Sequence, residues 1–370
     1  MAEMERHYFA RGNTAEGLVS LVESIYNRLD TIYVLKGDPQ EIGTILARLA
    51  NGWSRKGWSL HHIHQPLQSD LLEGIIIEDA RIGLIDRRAW PEDWSAEGTE
   101  IYHVDFRSDP DGVQLAEHQE HIAALEQNIA EGYTKAYETF QRTLRIHDDW
   151  EKIYIDSLDR AVMNQLAVDW ADQYLVAAAD SGKETEASKE PGTITRRFLG
   201  AATWRGAVDF ILNLTEDVPT RIFVKGRPGS GKSTLFKKIA ATAAERGIDT
   251  EVYHCGFDPN SLDMLVFRSL GVAIFDSTSP HEHFPLREGD SILDVYELAI
   301  APETDEKHAE EIADVKSRYT TSMQIAISYL AEVKQNQDQL SAIYRSVRDE
   351  EAVSKQEQRL AEEIEARVAK

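Results

Sequence analysis

The sequence is short of three things. It has a single cysteine, Cys255, in 370 residues. One thiol cannot close an internal disulfide and leaves no cysteine-rich metal cluster. It has no long apolar run: LGVAIF is typical of the longest, whereas a membrane span needs about 18 to 20. The opening residues, MAEMERHYFARG, hold no apolar core of the secretory-signal kind. It is also short of positive charge, with Lys+Arg 40 against Asp+Glu 64 and a net charge of -24. That balance disfavours nucleic-acid binding, which draws on a basic surface, and leaves room only for a local basic patch. These absences predict a cytoplasmic protein with no membrane segment. What remains is ample for folding: 42% hydrophobic residues, seven Trp, and length for two domains of about 150 to 200 residues each.

The two halves echo each other. Segment 56–91 aligns without gaps on 246–281, placing Gly57 on Gly247, His64 on His254, Leu72 on Leu262 and Asp86 on Asp276. Upstream the offset is 189 instead of 190: YFARGNTAEGLVSL (8–21) matches RFLGAATWRGAVDF (197–210), and VLKGDP (34–39) matches FVKGRP (223–228). Three blocks in one order with one small gap read as an internal duplication.

Each copy has the same plan. An apolar strand (TIYVLK, RIFVK) leads into a loop and a helix. A second strand follows (WSLHHIH, TEVYHC), a third ends in Asp (RIGLID, GVAIFD), and a weaker one comes next (EIYHVDF, SILDVYEL). Strands alternating with helices predict parallel α/β sheets. About four strands per copy are legible, with room for another in the N-terminal segment. A long helical stripe then follows in each copy: Ile122, Leu125, Ile129, Tyr133, Ala136, Phe140 and Leu144, and again Met323, Ala326, Leu330, Val333, Leu340 and Tyr344. The stripe fits a helical hairpin on its own domain, or an arm for a protein partner or self-association. The charged end, DEEAVSKQEQRLAEEIEARVAK, reads as a solvated helix. Polar ADSGKETEASKEPGT (179–193) places a linker at 181–196, between domains at 1–180 and 197–370.

The strongest motif is Gly226-Arg227-Pro228-Gly229-Ser230-Gly231-Lys232-Ser233-Thr234, a match to G-x-x-x-x-G-K-[ST] between an apolar strand and an amphipathic helix. Its glycines let backbone N–H groups converge on a phosphate, and the helix start adds positive potential. Lys232 is expected on the β- and γ-phosphates of a nucleoside triphosphate, Ser233 on Mg²⁺, and Thr234 on the α-phosphate. Asp276, ending Val272-Ala273-Ile274-Phe275, fits the second metal-holding carboxylate. Lys225, Arg227, Lys232, Lys237 and Lys238 form the basic patch. Asp258 or Asp263 is placed to orient an attacking water or hydroxyl, although Asn260 or Ser261 also reads as the cap of a helix over SLDMLVF. Asp258 is taken as the catalytic acid. His281 and His283 follow Asp276 and reach toward the same crevice.

At the matching place the first copy reads Gly37-Asp38-Pro39-Gln40-Glu41-Ile42-Gly43-Thr44. The lysine is gone and Glu41 puts negative charge where phosphate would sit. This copy is expected to be structural or regulatory, with no anion-sized cavity at its loop. Arg87 and Arg88 read as solvated.

These residues resemble a family of tandem-repeat P-loop proteins of Gram-positive spore-forming bacteria, described as ATPase-like or nucleotide-kinase-like. The resemblance is carried by FLGAATWRGAVDFILNLTEDV (198–218), KGRPGSGKST (225–234), 252–290 and 301–319, and in the first half by ARGNTAEG (10–17) and HDDWEKIYID (147–156). It implies two P-loop NTPase-like domains and ATP with Mg²⁺, held at Gly226 to Thr234 and Asp276. The expected activity is ATP hydrolysis at one site in the second domain. A small-molecule kinase using 305–347 as a lid with Arg318, Arg345 or Arg348, and an ATP-gated scaffold, are the rivals. No N-K-x-D or LSGGQ stretch is present, which sets aside GTPases and ABC subunits.

Overall fold

The computed structural model describes residues 4–95, 97–107, 113–176, 191–279 and 281–369. The first copy runs β1 (Glu5–Tyr8), β2 (Arg11–Thr14), β3 (Gly17–Ser20), α1 (Val22–Tyr26), β4 (Thr31–Lys36), α2 (Pro39–Ser54), β5 (Leu60–His64), β6 (Leu72–Ile77), β7 (Ile82–Asp86), β8 (Glu100–Asp105), α3 (Gln119–Ile155) and α4 (Arg160–Tyr174). The second runs β9 (Ile194–Phe198), β10 (Gly200–Thr203), β11 (Gly206–Asp209), α5 (Ile211–Leu214), β12 (Thr220–Lys225), α6 (Lys232–Glu245), β13 (Thr250–His254), β14 (Leu262–Phe267), β15 (Val272–Asp276) and β16 (Asp290–Asp294). It ends with α7 (Val295–Ala299), α8 (Thr304–Lys307), α9 (Ala309–Ser346) and α10 (Glu350–Val368). Every strand start of the first copy recurs in the second, 189 residues on through β4 and 190 from β5 onward. Most of the linker read at 181–196 lies outside the described residues, and its last three belong to β9.

The fold is α/β with two six-stranded sheets, ordered β1-β5-β6-β7-β4-β8 and β9-β13-β14-β15-β12-β16. They are mixed, not parallel as expected: β6 and β14 run against both their neighbours. The links at 65–71 and 78–81 are too short for a parallel crossover, which takes about a dozen residues. LDMLVF, expected as a helix, is strand β14, with all six residues buried. An apolar run covered on both faces loses the alternation that marks a strand. The strand missing from the N-terminal segment is β1, and β9 in the second copy.

The long helices do not fold back on their own halves. α3 packs against α9, antiparallel, along a seam of Ala136, Phe140, Ala326, Leu330 and Val333. Gly132 makes room there: a Cβ would meet Val333 Cγ2 at 2.6 Å. Further along, Thr143 Oγ1 and Ser322 Oγ lie 2.6 Å apart. The terminal helices are exchanged. α4 sets Met163, Ala167 and Trp170 into the core of the second sheet, and α10 sets Val353, Leu360 and Ile364 into that of the first. The charged end read as solvated therefore buries one face. A third core joins the sheets themselves, with Tyr8, Tyr26 and Ile63 against Phe223, Tyr253 and Phe275. Packing thus crosses the boundary read at 180.

Candidate functional site

β12 is buried over Arg221–Val224 and delivers the chain to the loop at 226–231. Gly229 and Gly231 take φ of 76° and 86°, a region that excludes most side chains. A Cβ on Gly229 would also run into the Glu151 carbonyl oxygen at the end of α3. The first copy therefore buttresses the loop of the second. Ser230 is buried and ties the loop, accepting from Arg227 N at 3.2 Å and donating to Arg227 O at 2.7 Å. α6 begins at Lys232, whose Nζ donates to Arg227 O at 3.0 Å and lies 3.5 Å from Asp276 Oδ2. Parallel pairing of Val224 with Asp276 brings loop and carboxylate to the same sheet edge. Ser233 Oγ accepts from Leu262 N at 3.0 Å, and Thr234 is exposed. Pro228, Gly226 and Gly229 to Thr234 thus form one continuous loop and helix start beside Asp276.

Asp258, the expected catalytic acid, has another task. Its Oδ1 accepts from Asn260 N and its carbonyl from Ser261 N, both at 3.0 Å, closing the β13–β14 turn. The acid facing Asp276 is Asp263. β14 and β15 pair antiparallel with Met264 on Phe275, so one step further sets Asp263 opposite Asp276. Burial and the Asp276 charge push the Asp263 carboxyl up to about 6. Burial, with the Asp263 charge adding to it, also raises the Cys255 thiol. Thr278 donates from N and Oγ1 to Asp276 Oδ1, at 3.0 and 2.6 Å. His281 and His283 are both held by Asp209, each at 3.0 Å. Burial works against Asp209, yet these two imidazoles keep its pKa down at about 2.

The basic patch is smaller than its sequence suggests. Lys225 Nζ donates to the carbonyls of Ser277 and His283 at 2.7 and 3.0 Å. Arg227 pairs with Asp305 at 2.9 Å and stacks on Tyr296. Of the lysines and arginine at 225–232, Lys232 is the one whose charge faces Asp276.

In the first copy the loop has been wound into helix. α2 starts at Pro39, with Asp38 as N-cap accepting from Gln40 N and Glu41 N at 3.1 Å. The Asp38 carboxylate thus occupies the helix start as a resident anion. Glu73 stands opposite Asp86 as Asp263 does opposite Asp276, but each acid has its own arginine. Arg11 Nη2 reaches Glu73 Oε2 at 2.6 Å, and Arg88 Nη2 reaches Asp86 Oδ2 at 2.8 Å. Arg88 also donates to Gly37 O at 3.3 Å, so it spans carboxylate and loop much as Lys232 does. Its side chain is 45% exposed, as read from the sequence, but it is paired at both ends. The counterparts of Arg11 and Arg88 in the second copy are Gly200 and Thr278. A cavity of about 310 Å³ opens beside this loop, against expectation. Asp38, Glu41 and Asp338 alternate in its lining with Lys334, Arg345 and Arg348, so its charges are matched from within.

Sequence reasoning missed the facing acids as pairs, because pairing needed β6 and β14 to be read as strands. The alignment of Glu73 on Asp263 and Asp86 on Asp276 was the available signal. Arg345 and Arg348, lid candidates in the rival kinase reading, contact Gln40 and Glu41 of the first copy. No protein-family model, curated protein or solved structure matches this chain.

Proposed function

We propose that the second copy binds ATP with Mg²⁺ and hydrolyses it, in a tandem P-loop arrangement whose first copy is structural. The observation that carries this reading is the two-acid, one-lysine site at a glycine loop: Asp263 and Asp276 face each other with Lys232 spanning Asp276 and Arg227 O. The first copy fills each of these needs with arginine, whereas the second leaves a net negative oxygen site next to an anion cradle. Hard oxygen donors, the Ser233 hydroxyl and the Asp276 carboxylate, fit Mg²⁺. Bound Mg²⁺ neutralises charge on the β- and γ-phosphates.

The chain's own part is positioning. Lys232 exchanges the Arg227 carbonyl for phosphate oxygens, and the N–H groups of 229–233 receive the rest. Asp263, protonated below about pH 6, is the group able to accept a proton from an attacking oxygen near neutral pH. The same acid supports a second reading, transfer of the γ-phosphate to an acceptor hydroxyl. Turnover without added acceptor separates hydrolysis from transfer. The site is tested by Lys232→Ala: ATP affinity should fall by about 100-fold or more. Unchanged affinity, read by calorimetry, overturns it.

A further inference from the structure

We propose that Glu5, His7 and His62 form a site for a divalent transition-metal ion of the zinc class, at the edge of the first sheet. β1 is an edge strand and pairs in parallel with β5, placing His7 on His62 and Glu5 two residues earlier on the same face. Their ligand atoms converge. Glu5 Oε2 lies 3.9 Å from both His7 Nε2 and His62 Nε2, and one ligand atom from each of the three residues lies within 4.8 Å of the other two.

The lone pairs are fixed by a relay of hydrogen bonds. His64 Nδ1 is 2.6 Å from the Ser69 carbonyl, which only accepts, so the proton sits on Nδ1. An imidazole with its proton on Nδ1 presents Nε2 as an acceptor, and here Nε2 faces His7. His7 Nδ1 donates to it at 2.8 Å, so the neutral His7 turns a bare Nε2 toward Glu5 and His62. A ring nitrogen held this way by a second residue is the usual support of a metal-binding imidazole. Ser54 donates to Glu5 Oε1, which leaves Oε2 for the ion. His62 Nε2 is buried, its side chain 10% exposed, and has no hydrogen-bond partner among the described residues. A buried nitrogen without a partner is costly, and a metal ion satisfies it.

Two imidazoles and a carboxylate suit Zn²⁺ over Mg²⁺ or Ca²⁺. Tetrahedral ligation at about 2.0 to 2.2 Å sets ligand atoms about 3.4 Å apart, so the two Glu5 separations of 3.9 Å close by about half an ångström. Glu5 is 39% exposed, so the remaining coordination position opens toward solvent. The second copy supplies an internal control. Its counterparts to Glu5, His7 and His62 are Ile194, Arg196 and Val252. It keeps only the orienting imidazole: His254 Nδ1 is 2.7 Å from the Pro259 carbonyl and its Nε2 is 3.1 Å from Arg196 Nη1. All three ligands are thus specific to the first copy.

The test uses the full chain, stripped with chelator and titrated with Zn²⁺ by calorimetry and with Co²⁺ by visible absorption. Wild type should bind one ion tightly. His62→Leu should weaken it by more than about 100-fold, and His64→Phe, which removes only the orienting partner, by about 10 to 100-fold. His147→Ala, in the other histidine–acid group at His147, Asp148 and Glu151, should leave the titration unchanged. Glu5→Gln alters a half-exposed side chain and should shift the Co²⁺ spectrum even if His62→Leu does not fold. Absence of binding by wild type, binding retained in both His62→Leu and Glu5→Gln, or loss in His147→Ala instead, overturns the proposal.

Discussion

Loops 37–44 and 226–234 follow counterpart strands, β4 and β12, yet one is closed by an arginine from β7's end and the other by the lysine of its own helix. In the first copy, Asp38 caps the helix start and Arg11 and Arg88 match Glu73 and Asp86. At this loop the helix start and both facing acids have partners within the chain. In the second, glycines at positive φ shape the loop, and Asp263 and Asp276 outnumber Lys232. The same backbone plan therefore yields a self-satisfied site and a demanding one. The difference rests on a handful of side chains: Arg11 against Gly200, Arg88 against Thr278, Asp38 against Arg227 and Gln40 against Gly229.

The largest effect should come from separating the copies. Fragments 1–180 and 191–370 each lack the terminal helix that covers their sheet. Expressed singly they should be unfolded or aggregated, and together they should reassemble. A single fragment giving a cooperative unfolding transition would break the picture of exchanged helices. Next comes Arg11→Ala. It strands the Glu73 carboxylate, 1% exposed, and should cost about 3 to 5 kcal/mol in urea unfolding while leaving the properties of loop 226–234 intact.

Gly229→Ala should be smaller in stability and sharper in location. The positive φ costs about 1 to 3 kcal/mol, and the new methyl pushes α3 away at Glu151. ATP affinity should drop with it, whereas Gln40→Ala at the counterpart position should do neither. The smallest effect is a gain. Asp263 releases its proton near pH 6 when folded, against 3.8 unfolded, so the folded chain holds that proton more tightly. Stability therefore falls as pH rises from about 4 to 6, and Asp263→Asn removes the fall. The variant should be about 1 to 3 kcal/mol more stable than wild type at pH 7.5 and nearly equal to it at pH 4.5. Equal differences at both pH values would show that Asp263 is not the strained acid.

The duplication, the glycine loop, Asp276 and the long helical stripes were all legible, because each is a local pattern of residues. The strands β6 and β14 were not. LEGIII and LDMLVF are covered on both faces and carry no period, so LDMLVF reads equally as a helix. With those strands hidden, Asp263 could not be set against Asp276, and the nearer-looking Asp258 took its role. Arg88 is exposed as read, but its role was hidden because its partners, Asp86 and Gly37, meet only when β4 and β7 pair. The Glu5, His7 and His62 cluster depends likewise on the register of β1 with β5.

The exchange of α4 and α10 bears on ancestry. A lone unit of this design has one sheet face only partly covered, by α2 or α6, since its own last helix reaches the neighbour's sheet and not its own. Such a unit regains full cover as a reciprocal pair, each chain completing the other about a two-fold axis. Fusing two units end to end turns that dimer into one molecule and makes the pairing independent of concentration. It also ends the requirement that both partners be identical. From then on one loop is free to drift into a helix while the other keeps its glycines.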